Sequence, residues 1–510
     1  MRHRTTSSIL AVLLTLAAAP GATAQDPTHL ADLIRSGNVR GAMALLDEGA
    51  SGESAGLDGT TALHWAVQLD DGPLVHALLD AGARVDVANR YGVSPLAVAA
   101  LNGSRPMVER LLDEGADPNQ ASDTGETPLM SAARSGNPET IRLLLSGGAD
   151  PNASEHMFGE TALMWAAGYD RGEAIHALVE GGANPDAISS TIELPEVPVD
   201  FSFAVGTALP RGGMTALMYA ARQGQINAVT ALADAGADLD IVDPEGATAI
   251  VIAIINAHFE VAARLAEKGA DPNIADDAGM GALYAAVDMA NPWSFVNRPS
   301  PTPTGSLSAA ELVRVLLDHG ADPNQALNAP LLMRQHNSGD RALGAGATPL
   351  ARAAKTADLG MMRLLLEHGA EPSAALADGS TAVTMALSGR GARTLTADSA
   401  MFESVRLLLE SGYDVNAVDD QGQTLLHRNV DRGEAFVRML LAHGARLDLQ
   451  DASGRTALDI ALGVGTPTPE AGGGRGGAFG RGGGGGAAPI SVDDATIALL
   501  TAADTSGDDR

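Results

Sequence analysis

Apolar and small residues recur along the chain in short runs that have the spacing of helices. Leu129 to Ala133 reads Leu-Met-Ser-Ala-Ala, which places an apolar stripe and small residues on one side of a helix. Ile141, Leu144 and Leu145 form a second stripe shortly afterwards. The pattern therefore predicts pairs of short amphipathic helices. A single pair cannot bury its own stripe, so neighbouring pairs must stack on each other.

Two recurring markers bound these helix pairs. A Thr-x-Leu-like start occurs eleven times, at Thr61, Ser94, Thr127, Thr161, Thr215, Thr248, Gly281, Thr348, Thr381, Thr424 and Thr456. A Leu-Leu-x-x-Gly-Ala-like end also occurs eleven times, with its glycine at Gly49, Gly82, Gly115, Gly148, Gly182, Gly236, Gly269, Gly320, Gly369, Gly412 and Gly444. The start predicts an N-cap hydroxyl, and the glycine predicts the left-handed residue that ends the second helix. The Asp117-Pro118-Asn119 sequence after Gly115 is typical of a turn.

The period of the markers is regular over most of the chain. A spacing of 33 residues separates Thr61 from Ser94, and the same spacing separates Gly82 from Gly115. The spacing and the Thr-Pro-Leu-x-x-Ala wording resemble the ankyrin repeat family. The resemblance implies an all-α solenoid of about twelve helix pairs, with short β-hairpin loops and a single continuous curved core. The first pair lacks the Thr start and the last lacks the Gly end, as terminal capping modules do.

Breaks in the period locate inserted segments. We place inserts at 188–213, 288–308, 325–346 and 389–399, and in the Gly-rich stretch 463–490, within a repeat domain that spans 26–504. Residues 505–510 are predicted to be a disordered tail, and Val492 to Ala502 has the helical spacing of a last second helix. Loops on a rigid scaffold often bind partners, and Trp293 and Phe295 lie in one insert. The alternative is tolerated drift, because longer loops cost little closure entropy.

The first 24 residues have the features of a secretory signal peptide. Arg2 and Arg4 precede an apolar run from Ile9 to Ala19, and Ala22-Thr23-Ala24 supplies small residues for cleavage. The apolar run is short for a membrane span, although a retained anchor is the alternative. We therefore expect an exported protein, periplasmic or secreted, that does not remain inserted in a membrane after cleavage.

Charge and cysteine content narrow the possible partners. The chain has 33 Lys and Arg against 63 Asp and Glu, a net charge of −30. Such a charge repels nucleic acid and favours a neutral or basic protein partner. The absence of cysteine excludes disulfides and thiolate metal sites. The sequence leaves the identity of the partner and the oligomeric state open.

The position four residues after the start marker is the main candidate for partner binding. The resemblance implies that this position lies on the concave, partner-binding face of the first helices. Trp, Tyr and Arg are enriched at binding hot spots. The candidates are Trp65, Trp165, Tyr219, Arg352 and Arg428, together with Trp293 and Phe295 in the insert. The alternative is that the tryptophans pack against neighbouring hairpins and that the arginines pair with nearby surface acids.

No catalytic or metal motif stands in the context that its chemistry needs. Gly52-Glu53-Ser54-Ala55-Gly56 matches Gly-x-Ser-x-Gly, but it lies in the predicted hairpin between Gly49 and Thr61, without the strand and helix that flank a nucleophilic serine, and the sequence contains no His-Glu-x-x-His or P-loop pattern. The resemblance implies structural roles for the recurring histidines, which are His64, His319, His368, His427 and His443. We predict a protein-binding scaffold without catalytic activity, cofactor or metal. The alternatives are a structural, envelope-stabilising repeat protein without a specific partner, an enzyme with a site built in the inserts, and calcium binding at the Asp-Pro-Asn turns.

Overall fold

Helices account for all regular elements longer than a single bridge in the part of the chain that the structure describes. The structure is a computed structural model that describes residues 30–191, 212–291, 302–329, 343–388, 395–464 and 492–507. The longest helix has 16 residues, and no helix of the described residues is long and apolar enough to cross a membrane. The predicted hairpin loops are present as turns that carry isolated antiparallel bridges, such as Ser154 with Thr161.

The helices come in twelve consecutive pairs, as the two markers predict. In the first half these are α1 Leu30–Arg35 and α2 Val39–Asp47, α3 Ala62–Gln68 and α4 Gly72–Asp80, α5 Pro95–Asn102 and α6 Arg105–Asp113, α7 Pro128–Ser135 and α8 Pro138–Ser146, α9 Ala162–Gly168 and α10 Gly172–Glu180, and α11 Ala216–Gln223 and α12 Ile226–Asp234. In the second half they are α13 Ala249–Ile255 and α14 Phe259–Glu267, α15 Ala282–Ala290 and α16 Ala309–Asp318, α17 Pro349–Lys355 and α18 Leu359–Glu367, α19 Ala382–Ser388 and α20 Leu395–Glu410, α21 Leu425–Arg428 and α22 Glu434–Ala442, and α23 Ala457–Ala461 and α24 Asp494–Gly507. A short 3-10 helix, Val430–Arg432, follows α21.

Cap chemistry sets the ends of these helices. The start-marker hydroxyl accepts a backbone N–H three residues ahead at Thr61, Ser94, Thr127, Thr161, Thr215, Thr348, Thr424 and Thr456. The prediction is wrong at Thr248 and Thr381, whose buried hydroxyls make no cap bond. All eleven marker glycines have φ between 84° and 101°, the left-handed conformation that lets the chain leave each second helix. The start marker therefore caps the backbone of the first helix, and the marker glycine ends the second helix.

The chain divides into two compact units. The first contains Met1–Asp277 and Val296–Ala321, and the second contains Ala278–Phe295 and Asp322–Arg510. The predicted insert at 288–308 interrupts one helix pair, so that α15 belongs to the second unit and α16 to the first. A single continuous core across both units stays a prediction.

In the first unit, each first helix packs on the first helix of the next module, from α1 through α13. The leucine of the start marker is buried in successive modules, at Leu63, Leu96, Leu129, Leu163 and Leu217, with at most 1% of each side chain exposed. Three residues later an alanine is fully buried, and its small side chain lets adjacent helices approach closely, at Ala66, Ala99, Ala132, Ala166 and Ala220. The second helices α6 to α16 form a parallel stack.

The second unit repeats this arrangement. Its first helices α15, α17 and α19 pack in succession, and α18 packs on α20. The Phe402 and Phe436 rings meet edge to face with centroids 5.0 Å apart, between α20 and α22. The helix α24 packs on both α22 and α23 and buries Leu500. It continues to Gly507, so the stretch predicted as a tail begins with helical residues.

Asparagine side chains join successive modules in both units. Asn119 Nδ2 donates to the Gly148 carbonyl at 2.8 Å, and Asn119 Oδ1 accepts the Asp150 N–H at 2.8 Å. The same pattern recurs at Asn152, Asn324 and Asn416. The predicted local turn is also present, because Asp117 accepts the Asn119 N–H at 2.8 Å. Each turn therefore satisfies polar groups in its own module and in the next.

The two ends of the predicted insert at 188–213 are joined by backbone hydrogen bonds, as the two arms of a hairpin are. The Ser189 N–H donates to the Met214 carbonyl at 3.0 Å, and the Gly213 N–H donates to the Ser190 carbonyl at 3.3 Å. Ser190 also donates to the Phe158 carbonyl of the preceding hairpin at 2.7 Å. A different insert, 389–399, is partly helical, because α20 begins at Leu395.

Cutting a buried leucine of the stack should destabilise the first unit. We expect Leu144→Ala to lower the free energy of unfolding by about 2–5 kcal/mol, because it opens a cavity in the stack. The matched control is Leu143→Ala, which changes the same residue type at a half-buried position of α8. Urea denaturation followed by circular dichroism measures both. Equal losses for the two variants would contradict the stacking model.

Candidate protein-binding site

The candidate site is the row of side chains four residues after each start marker, which we call the first-helix face. In the first unit most of this row is buried against neighbouring modules, including Val98, Ser131 and Ile252. Trp65 and Trp165 differ, since each remains half-buried. Large indoles are therefore accessible on a row that is otherwise packed.

Trp165 lies in a cluster with Glu160 and Tyr219. Tyr219 is 7% exposed, and its hydroxyl donates to Ser189 Oγ at 3.4 Å. The Arg222 guanidinium stacks over the Tyr219 ring, 5.1 Å from its centroid. Burial and the Glu160 charge raise the pKa of Tyr219 to about 12, so the phenol stays protonated.

The Glu160 carboxylate is half-buried beside these two rings. Burial raises the pKa of Glu160, and the neighbouring Tyr219 hydroxyl and Trp165 indole offset this effect only in part. Trp165 Nε1 is itself buried and has no acceptor in hydrogen-bond geometry among the described residues. The cluster therefore combines an accessible aromatic surface with a partly desolvated carboxylate.

A second carboxylate occupies the equivalent position one module earlier. Glu126 is half-buried, and burial raises its pKa, with a further increase from Glu155 and Glu160 and a decrease from Arg134. Glu155 is buried, and its carboxylate accepts the N–H groups of Met157, Phe158 and Glu160 at 2.6, 2.6 and 3.1 Å. Arg134 stacks over Tyr169, 5.4 Å from its centroid.

Arg352 and Arg428 belong to the second unit, and both are paired with acids. Arg352 Nε donates to Asp288 Oδ1 at 2.5 Å in a buried pair, and its Nη2 donates to the Asn291 carbonyl at 2.8 Å. The expectation of a surface pairing is therefore wrong for Arg352, whose side chain is 7% exposed, because Asp288 on α15 meets it inside the stack. Arg428 does pair with Asp419 at the surface. Trp293 and Phe295 lie outside the described residues.

The histidines have the structural roles that the resemblance implies. His64 Nδ1 accepts the Thr61 N–H at 3.1 Å, and Nε2 lies 2.9 Å from the Val93 carbonyl of the next module. His427 repeats this arrangement with Thr424 and Arg455. His319, His368 and His443 each contact the carbonyl four residues earlier with Nδ1 at 2.8 Å. Within the described ranges, no group of three or more His, Asp and Glu residues could hold a metal ion.

Three acids of these sites were missed by reasoning from the sequence. Glu126 and Glu160 directly precede the start marker, where other modules carry Thr60, Val93 or Met214. A comparison of the residue directly before each start marker distinguishes these two acids from the other modules. Asp288 follows its marker by seven residues, where Arg134 and Arg222 stand in other modules, so its opposite charge was also visible.

Comparison with known proteins agrees with the module geometry. A family model described as ankyrin repeats in three copies matches residues 28–122, 96–189, 199–291 and 393–466, and a single-repeat model matches 345–375. The chain belongs to the ankyrin repeat family.

Individual ankyrin relatives match smaller parts. The ADP-ribosylation factor GTPase-activating protein AGD2 of Arabidopsis thaliana is 39% identical over 67 residues. That match covers 13% of this chain and 9% of the relative. The crystal structure of the human ASB11 ankyrin repeat domain aligns with a TM-score of 0.40 and 24% identity, and covers 49% of this chain and 100% of that domain.

His64 should make the first ankyrin modules sensitive to acid. Burial lowers the pKa of His64 to about 4, below its ordinary value of about 6.5. The folded state therefore holds neutral His64, and about 3 kcal/mol of stability, fully present above pH 6.5, is lost as the pH falls towards 4. Hydrogen exchange of residues 54–68, corrected for the intrinsic rate, measures this loss. The non-titrating variant His64→Asn should show a flatter pH dependence, and an unchanged slope would refute the assignment.

Removing one partner of the buried Asp288–Arg352 pair should destabilise the protein far more than replacing both partners with apolar residues. Asp288→Ala leaves Arg352 buried without its partner, so we expect a loss of about 3–5 kcal/mol in unfolding free energy. The double variant Asp288→Leu with Arg352→Met should lose much less, because neither buried charge remains. Arg428→Met breaks an exposed pair and should cost at most about 1 kcal/mol. Urea denaturation distinguishes the three, and a double variant as unstable as Asp288→Ala would contradict this account.

Proposed function

We propose that this ankyrin protein is an exported, non-enzymatic scaffold that binds another protein through the first-helix face of its first unit. The observation that carries the proposal is the accessible Trp165 indole beside Glu160, on a row where Val98 and Ser131 are buried. Tryptophan is among the residues most enriched at binding hot spots. Trp65, on α3 of the same unit, extends the surface that a partner could contact.

The compartment is part of the proposal and rests on residues 1–24, which lie outside the described residues. Their basic start, apolar run and small-residue end support export to the periplasm or beyond. The net charge of −30 supports a neutral or basic partner over nucleic acid. The GTPase-activating activity in the name of the plant relative stays with that protein, because this chain matches only 9% of its length.

Site-specific photocrosslinking tests the proposal. A benzophenone amino acid at position 65 of the full-length exported chain should yield a product of defined mass with a partner, because this position is accessible on the first-helix face. The yield should fall when Trp165→Ala is added, since that change removes an anchor of the same surface. Circular dichroism and the midpoint of thermal unfolding check that each variant is folded.

The matched control places the crosslinker at Glu173, an exposed position on α10. No product, or equal yields from positions 65 and 173, would overturn the proposal and favour an envelope-stabilising role without a specific partner.

A further inference from the structure

We propose that the partner presents arginine side chains, one of which binds on the Trp165 indole between the carboxylates of Glu126 and Glu160. This inference rests on the proposed function and names the chemistry of its partner. The site lies within the first unit, on α7, α9 and the hairpins that precede them.

The two carboxylates are equivalent residues of successive modules. They stand 34 residues apart, each directly before its start marker, and both are half-buried. They influence each other electrostatically, and the buried Glu155 adds to the negative potential at both. Three backbone N–H groups hold the Glu155 carboxylate in place, so this charge cannot swing away into solvent.

The two cations nearest to these carboxylates attract them without forming ion pairs, and both stack on tyrosine rings. Arg134 stacks on Tyr169, and Arg222 stacks on Tyr219 and contacts Met214 Sδ at 3.4 Å. Among the described residues, no Lys, Arg or His side chain forms an ion pair with Glu126 or Glu160, since no such nitrogen lies within 4.0 Å of either carboxylate. By contrast, buried Asp288 and Asp451 have direct arginine partners. Three carboxylates, those of Glu126, Glu155 and Glu160, thus face two nearby arginines, and a cation from a partner would neutralise the remaining negative charge.

Trp165 favours a flat cation at this place. A guanidinium can stack on an indole face while its N–H groups donate to carboxylates at its edge. Trp165 presents a half-buried indole beside Glu160, whereas Tyr219 is already covered by Arg222. The geometry therefore selects arginine, and the charge of the whole chain attracts a basic segment towards it.

The same carboxylates should make binding sensitive to pH. Burial raises the pKa of both Glu126 and Glu160, and the charged or titratable groups that face them are Glu155, Arg134, Arg222 and Tyr219. A bound guanidinium stabilises the ionised carboxylates, so their protonation weakens binding. Affinity should therefore fall as the pH is lowered into the range in which these carboxylates protonate, where arginine stays charged.

Fluorescence anisotropy with defined peptides tests the inference on the full-length mature chain. The probe is a fluorescein-labelled peptide of alternating arginine and serine, and its matched peptide carries neutral citrulline in place of arginine. We expect the arginine peptide to bind at least about tenfold more tightly, and Glu160→Gln to weaken it by about tenfold. Trp165→Phe, which keeps an aromatic ring, should weaken it less than Trp165→Ala.

Glu173→Gln is the charge-matched control, because it removes one exposed carboxylate from α10 of the same module. Equal weakening by Glu160→Gln and Glu173→Gln would reveal only general attraction to an acidic protein and would overturn the inference, as would equal binding of the citrulline peptide. In that case a Trp165-dependent crosslink from position 65 would leave the proposed function standing. Loss of that dependence as well would remove both.

Discussion

The described helices of this protein depend on stacking between neighbouring modules. A helix of seven to nine residues is too short to be stable alone in water, so its apolar stripe must be covered by the next pair. Alanines such as Ala132 and Ala166 make this possible, because they let first helices approach without side chains in the way. Leucines such as Leu129 and Leu163 then fill the layer beneath. The close approach leaves little room on the first-helix face, and a large residue there must either find a gap, as Tyr219 does, or stay partly in solvent, as Trp165 does.

The same constraint explains how much the sequence could predict. Local chemistry such as the Thr161 cap and the Gly148 turn repeats in every module, so the helix pairs and their ends could be placed by spacing alone. The burial of individual side chains on the first-helix face could not be predicted in this way, because it depends on which side chains of the adjacent module pack against them. Ser131 is small and buried, Trp165 is large and half-buried, and Arg352 is buried in a pair with Asp288. Whether each of these side chains is buried depends on a contact with a residue far away in sequence. The set of positions four residues after the start markers includes only one residue of each contact.

The acids of this protein differ in how strongly their charge can affect binding. Most acids in the part of the chain that the structure describes are exposed, where a carboxylate is well hydrated and contributes little to specificity. Glu126 and Glu160 are different, because partial burial gives their charge a longer electrostatic reach and raises the free-energy cost of leaving it unneutralised. Two arginines stand nearby, yet each stacks on a tyrosine. The three carboxylates of Glu126, Glu155 and Glu160 still outnumber these two arginines, so this part of the first-helix face has a net negative charge.

The closed base of the hairpin at Ser189 and Met214 separates the length of a loop from the spacing of the modules. Because the two arms hydrogen-bond to each other, and Ser190 bonds to the preceding hairpin, the stack has the same register whether few or many residues leave from the tip. The position is therefore a natural graft point. Foreign segments such as an epitope tag or a second binding loop could replace the residues between the arms without altering how the α9–α10 pair meets the α11–α12 pair.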